Sequence, residues 1–219
     1  MEQYLLLAAG VLGIPLVYAG AMAWYSPAFE KEENRNRKRF RSPEEILIFL
    51  SAEAALVCVW RREAAQGEPV LLYLLLLVML AAMTFFCAAD LWEHVVPNPM
   101  LLLLVLVFVL LTGMTAIRDM EAFLRILPSI FFGEIFCAVS FGLAYLLSRG
   151  SMGAGDVKLA LVMGLYLTGE YVSGAVLYGC LAAALFSLVQ LARKKLGRRD
   201  KIPFVPFLYI GLIIRYIAG

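Results

Sequence analysis

Val70 to Asp90 reads VLLYLLLLVMLAAMTFFCAAD, twenty residues without a charge closed by an aspartate. A run of about 20 apolar residues is the length that carries an α-helix through the hydrocarbon core of a bilayer. Only a helix satisfies its own backbone there, so this stretch predicts a spanning helix. The closing aspartate is the informative exception. An ionisable side chain at the margin of a span is costly, and such residues are usually functional or paired.

The rest of the chain fits the same solvent. Of its 219 residues 63% are hydrophobic and 16% charged, which excludes an ordinary soluble domain and predicts a polytopic membrane protein. Further apolar runs at 4–24, 44–60, 98–117, 124–147, 157–169, 171–192 and 203–218 bring the expected total to about eight transmembrane helices, an all-α membrane bundle. The run at 44–60 is short and carries Glu53, 157–169 is short as well, and Thr168-Gly169-Glu170 predicts a tight turn before the next helix. The first run lacks a basic leader and a small-residue exit, so a retained span is expected rather than a cleaved signal peptide. No repeat of 20–50 residues is visible. The expected organisation is an N-terminal two-span region, 1–69, and a membrane core, 70–219.

Charge orients this bundle. Lys31, Arg35, Arg37, Lys38, Arg39 and Arg41 crowd the segment after the first run, and Arg193, Lys194, Lys195, Arg198, Arg199 and Lys201 the segment before the last. Segments on the other side carry far fewer, such as Arg61 and Arg62, or Arg118. The positive-inside rule then puts both basic segments in the cytoplasm and both chain ends outside. Topology signalling alone explains them; contact with anionic lipid is a secondary reading.

A second aspartate, Asp156, closes Gly150-Ser-Met-Gly153-Ala-Gly155-Asp156-Val-Lys158. Two apolar runs, 98–117 and 124–147, separate Asp90 from Asp156, so the chain leaves one face and returns to it. Both carboxylates are expected at the cytoplasmic margin. Two carboxylates sharing a site cannot both ionise easily and hold one proton between them. Such a pair activates water through its ionised member and polarises a carbonyl through its protonated one, with no cofactor and no metal. Gly153 and Gly155 are expected to let a substrate backbone approach Asp156 and to permit positive φ. Pro97 is placed to begin the next span. Lys158 is expected to point elsewhere on its helix, toward headgroups or beside the site.

Simpler readings exist for each part. Asp90 alone could be a solvated helix end, and a G-x-G-D alone could be an ordinary N-cap. Both aspartates together on one face favour catalysis. Glu93 and His94 are candidates for support. His94 is the single histidine, which excludes a metal site built on imidazoles. Glu53, Glu134 and Glu170 lie in or near apolar runs, with Glu134 deepest. Cys58, Cys87, Cys137 and Cys180 lie singly within apolar runs, so packing is expected rather than disulfides or zinc.

Three stretches together resemble the type IV prepilin peptidases, the GxGD-type aspartic membrane proteases. Asp90-Leu91 through Val96-Pro97-Asn98 resembles the first aspartate motif, and Gly153-Ala-Gly155-Asp156-Val-Lys158-Leu159 resembles GxGDxKL. Ile202-Pro203-Phe204-Val205-Pro206-Phe207-Leu208 resembles IPFGPFL, with Val205 where glycine is usual. The resemblance covers roughly residues 70–215. It implies the GxGD aspartyl protease fold and catalytic roles for Asp90 and Asp156. Gly153, Gly155, Lys158, Pro97, Asn98, Pro203 and Pro206 then serve as substrate-binding or structural support. It further implies a multi-pass protein of the prokaryotic plasma membrane, with its site at the cytoplasmic face. That site would cut the basic leader from prepilin or pseudopilin precursors, after glycine and before the apolar stalk helix. The expected partners are those precursors and membrane lipids, with no nucleic acid.

Many members carry two C-x-x-C pairs after the first span and methylate the new N-terminus from S-adenosylmethionine. Here Tyr25 to Pro43 is charged and cysteine-free, so proteolysis is the expected activity and N-methyl transfer an alternative. A non-catalytic scaffold in a pilus or secretion assembly would keep the fold without the chemistry. A proton-coupled transporter would place its carboxylates near the midplane, often with inverted repeats, and this pattern shows neither.

Overall fold

A computed structural model describes residues 10–21, 23, 43–66, 70–148, 152–193 and 202–218. Both basic segments, apart from Pro43, Arg193 and Ile202 at their edges, lie outside the described residues, as do Gly150 and the ends of the first apolar run.

Among the described residues the chain forms helices and no strands, in an order that follows the eight apolar runs. They are α1 Gly10–Ala21, α2 Pro43–Gln66, α3 Val70–Glu93, α4 Asn98–Arg118, α5 Met120–Leu147, α6 Ala154–Tyr166, α7 Gly169–Ala192 and α8 Val205–Ala218. The helical bundle is as expected, but the number of full spans is not. Among the described residues four helices are long and apolar enough to cross a membrane: α3, α4, α5 and Tyr171–Ala192 of α7. The reasons are length and charge. The 13 residues of α6 reach about 20 Å at 1.5 Å per residue, against a hydrocarbon core of about 30 Å. The 14 residues of α8 fall short in the same way. α2 has the length, 24 residues, but carries Glu44, Glu45, Glu53, Arg61, Arg62 and Glu63.

The four long helices differ in what surrounds them. α3 is buried over almost its whole length, from Leu71 to Asp90, as expected of a helix that is apolar on every side. It packs against α2, α4, α6 and α8 and forms the centre of the bundle. α4, α5 and α7 instead leave large apolar side chains uncovered, with Leu102 71%, Ile117 88% and Leu147 78% exposed. In lipid such faces need no partner, and association relies on close backbone approach and interhelical hydrogen bonds.

Both devices are present. α5 crosses α6 at Gly133 and Gly164, where a Cβ on Gly133 would lie 2.6 Å from the Gly164 carbonyl oxygen. α7 crosses α8 at Gly179 and Gly211, where a Cβ on Gly211 would collide with the Ala175 carbonyl oxygen and the Gly179 nitrogen. Tyrosine hydroxyls tie helices together across the core. Tyr166 donates to the Leu104 carbonyl at 2.7 Å, Tyr209 to that of Ile48 at 2.7 Å and Tyr216 to that of Leu76 at 3.1 Å.

The connections are short. Asp119 alone separates α4 from α5, and its Oδ1 accepts the Ala122 amide at 2.9 Å, the N-cap bond that starts a helix after a one-residue turn. Two spans in immediate succession therefore carry the chain away from Asp90 and back toward Asp156. The expected turn before α7 falls at Leu167-Thr168, so that Gly169 already belongs to the helix.

Candidate active site

Asp90 sits in the last turn of α3 and is 5% exposed. The helix ends three residues later, at Glu93. His94 adopts φ 53°, a left-handed conformation uncommon outside glycine, while its amide still donates to the Asp90 carbonyl at 3.0 Å. Val95 to Pro97 are then irregular, Pro97 is extended at φ −70° and ψ 120°, and α4 starts at Asn98. His94 is exposed, yet its imidazole is close enough to Asp90 to act on it electrostatically.

The Asp90 carboxylate has a partner far along the chain. Its Oδ2 accepts the backbone amide of Val205 at 3.0 Å. Val205 is the first residue of α8 and fully buried, so its amide is one of the four a helix start leaves without an internal acceptor. Pro203 and Pro206 fix the backbone on either side of it, and Pro206 stands in the first turn, where a missing N–H costs nothing. The Phe204 carbonyl accepts from Phe207 at 3.0 Å and Leu208 at 3.3 Å, closing that turn. A hydrogen bond donated to a carboxylate favours its ionised form.

Asp156 lies in the first turn of α6, outside the four long spans. Its amide donates to the Gly153 carbonyl at 3.2 Å. Burial, and secondly the charge of Asp90, push its carboxyl from the ordinary 3.8 up to about 6, against an opposing backbone hydrogen bond from Gly153. The two aspartates thus meet electrostatically at the contact between the end of α3 and the start of α6.

The glycines of the second motif act differently from the sequence reading. Gly153 is extended at φ −70° and ψ 136° and Gly155 is helical, so neither uses positive φ. A Cβ on Gly155 would lie 3.1 Å from Cβ of Val96, so this glycine seats the loop that follows Asp90. A Cβ on Gly153 would lie 3.1 Å from Oδ2 of Asp156; that glycine is exposed and keeps one side of the carboxylate open. Lys158 lies beside the site rather than among headgroups and donates from Nζ to Oδ1 of Asn98 at 3.1 Å. The aspartate motifs are therefore joined twice, by Val96 on Gly155 and by Lys158 on Asn98. Glu53 of α2 and Glu134 of α5, which lies against Gly164 of α6, stand apart, and buried oxygens of both carry no hydrogen bond among the described residues.

A cavity of about 400 Å³ opens beside Asp156, walled by residues of α5, α7 and the approach to α8, among them Phe141, Val176, Cys180 and Phe204. Neither this cavity nor the Val205 amide was among the sequence candidates. The proline pair flanking Val205 was the one signal that this backbone is held in place for a purpose.

Replacing Val205 by proline removes the amide at a position where a helix tolerates proline. Hydrogen bonds to charged groups are worth roughly 1.5–3 kcal/mol, and 1.4 kcal/mol is tenfold, so any activity that uses an ionised Asp90 is expected to fall about 10- to 100-fold. Val205→Ala keeps the amide and is expected to fall far less. Equal losses in both, measured as kcat/KM, would show that the side chain and not the amide matters.

The chain matches the type IV leader peptidase family over residues 74–188, a stretch that includes both aspartates. It is also similar to a prepilin leader peptidase/N-methyltransferase of Bacillus subtilis (strain 168), 24% identical over 174 residues that make up 78% of this chain and 66% of the relative. The chain thus spans just under two thirds of that relative's length. No solved structure matches it. With the match extending over more than half its length, the chain belongs to the type IV leader peptidase family.

Proposed function

We propose that the chain is a membrane-embedded aspartic endopeptidase that removes the leader from prepilin-like precursors, with Asp90 and Asp156 as its catalytic pair. The observation that carries this reading is the meeting of the two carboxylates in unlike surroundings. Asp90 accepts a buried amide at 3.0 Å, and Asp156 is pushed up to about 6. Of two acids sharing a site, the one that accepts a hydrogen bond to its charged form is the better placed to be the base. Asp90 is the base and Asp156 holds the proton.

In the reaction a water between the carboxylates gives a proton to Asp90 as its oxygen adds to the scissile carbonyl carbon. Asp156 gives its proton to the carbonyl oxygen, leaving a neutral gem-diol. Collapse of the diol breaks the C–N bond. The amine leaves with the proton Asp90 took up, and a diol proton returns to Asp156. The sum is one peptide bond and one water converted to an acid and an amine. The open flank at Gly153 gives a substrate backbone its path to Asp156.

The cut follows glycine at the border between the basic leader and the apolar stalk, and the site faces the cytoplasm of a prokaryotic cell. The match beginning at residue 74 supports taking 70–219 as the catalytic core and 1–69 as an accessory pair of helices. The Bacillus relative's name pairs the peptidase with N-methyl transfer. The cysteine-free stretch from Tyr25 to Pro43 supports proteolysis alone here.

The pH dependence tests the assignment. Asp156 must be protonated, so kcat/KM of the purified protein is expected to fall with rising pH beyond a limb near 6, by about tenfold per unit. A kcat/KM that keeps rising to pH 8 would contradict Asp156 as the acid.

A further inference from the structure

We propose that the cavity beside Asp156 is a specificity subsite that takes an apolar side chain from the first turns of the precursor's stalk helix. The proposal rests on the peptidase reading above and adds to it the part of the substrate that the site grips.

Placement is the first argument. Asp156 forms part of the cavity wall, so a group seated there lies against the proposed acid. Chemistry is the second. Ser140, Phe141 and Ala144 of α5, Val176 and Cys180 of α7, and Met152, Ile202 and Phe204 from the irregular segments complete the lining. Among the described residues that line it, Asp156 is the one charge and polar groups are few. An apolar side chain therefore finds apolar contact along most of the described lining. Size is the third. At about 400 Å³ the cavity lies toward the lower end of the range of roughly 300–1,000 Å³ typical of ligand sites. It has room for a large side chain and part of the turn that carries it.

The walls are also held firmly. Phe204 packs edge-on against Phe141 with centroids 6.1 Å apart, and it immediately precedes Val205, whose amide holds Asp90. The segment that positions one catalytic group therefore also forms the subsite wall, so pocket and carboxylates keep one register.

Two measurements decide it. Cys180 lines the cavity within the apolar span of α7, so a membrane-permeant maleimide applied to the detergent-solubilised protein is the probe, read by mass spectrometry of its peptide. A saturating precursor peptide is expected to slow that modification at least about fivefold; an unchanged rate overturns the proposal. In the second, apolar stalk residues are changed one at a time to alanine and each precursor is assayed with wild type and with Ala144→Phe, which fills the cavity. One stalk position is expected to cost wild type about tenfold or more in kcat/KM, and Ala144→Phe to erase that preference. A preference profile identical in the two proteins overturns the subsite. Should Ala144→Phe fail to fold, the Cys180 measurement on wild type decides alone. Cleavage of no precursor by wild type would overturn the peptidase reading itself, a different failure from cleavage with an unaltered profile.

Discussion

Asp156→Asn is expected to abolish leader cleavage while making the protein more stable at neutral pH. Loss of a general acid costs about 10²–10⁴-fold. Asparagine keeps the shape of the side chain but cannot give up a proton. The stability half follows from linkage. The folded protein raises this carboxyl from 3.8 to about 6. The stabilising contribution of the protonated form is complete below 3.8 and is lost as pH rises through about 6, above which a buried charge is carried at a cost. Two units correspond to nearly 3 kcal/mol; with Asp156 partly exposed, about 1–2 kcal/mol is the realistic figure. Asparagine carries no charge, so its unfolding midpoint in detergent is expected to exceed that of wild type at pH 7.5 and to converge with it near pH 4. A variant that is both inactive and less stable at pH 7.5 would point to a structural role for Asp156.

The second large effect lies away from the carboxylates. Gly211→Ala puts a methyl group against the Ala175 carbonyl and the Gly179 amide, both backbone, so the collision cannot be relieved by turning a side chain. Overpacking typically costs about 1–3 kcal/mol. The upper part of that range is expected here, because α7 and α8 must separate along their closest crossing. The loss should reach the active site, since α8 carries the amide that holds Asp90. Gly113 is the control: a Cβ there meets nothing within 4 Å, and Gly113→Ala should be neutral or gain a few tenths of a kcal/mol from helix propensity, about 1 at most. Thermal unfolding of the two variants side by side, with cleavage assays on each, separates packing from propensity. Equal stabilities would mean that the α7–α8 crossing is looser than described.

How far the sequence reached can be judged from particular residues. Val70 to Asp90 announces a helix because apolar content and length are local properties, and the two spans between Asp90 and Asp156 are counted in the same way. That count brings the aspartates to one side even though, among the described residues, fewer helices than the expected eight are long and apolar enough to span. Length alone could not reveal that α6 and α8 are short helices packed within the bundle, because an apolar run reads alike whether lipid or protein covers it.

The contacts that shape the site are non-local. Val205 and Asp90 are 115 residues apart, and Lys158 and Asn98 are 60 apart; no periodicity links such positions. Gly155 shows the limit most plainly. A glycine beside a catalytic candidate invites the reading of substrate access, yet the space it leaves is filled by Val96. The access reading fits Gly153, where the backbone is exposed. The cavity was illegible for a similar reason, since its walls come from four separate segments.

The most direct test of the central claim is to incubate purified protein with a prepilin-type precursor in the presence of a metal chelator and to weigh the products. The account predicts one cut, after the glycine that ends the basic leader, at a rate the chelator does not change, and no product from Asp90→Asn protein. An uncut precursor, a cut lost on chelation, or full processing by Asp90→Asn would contradict it.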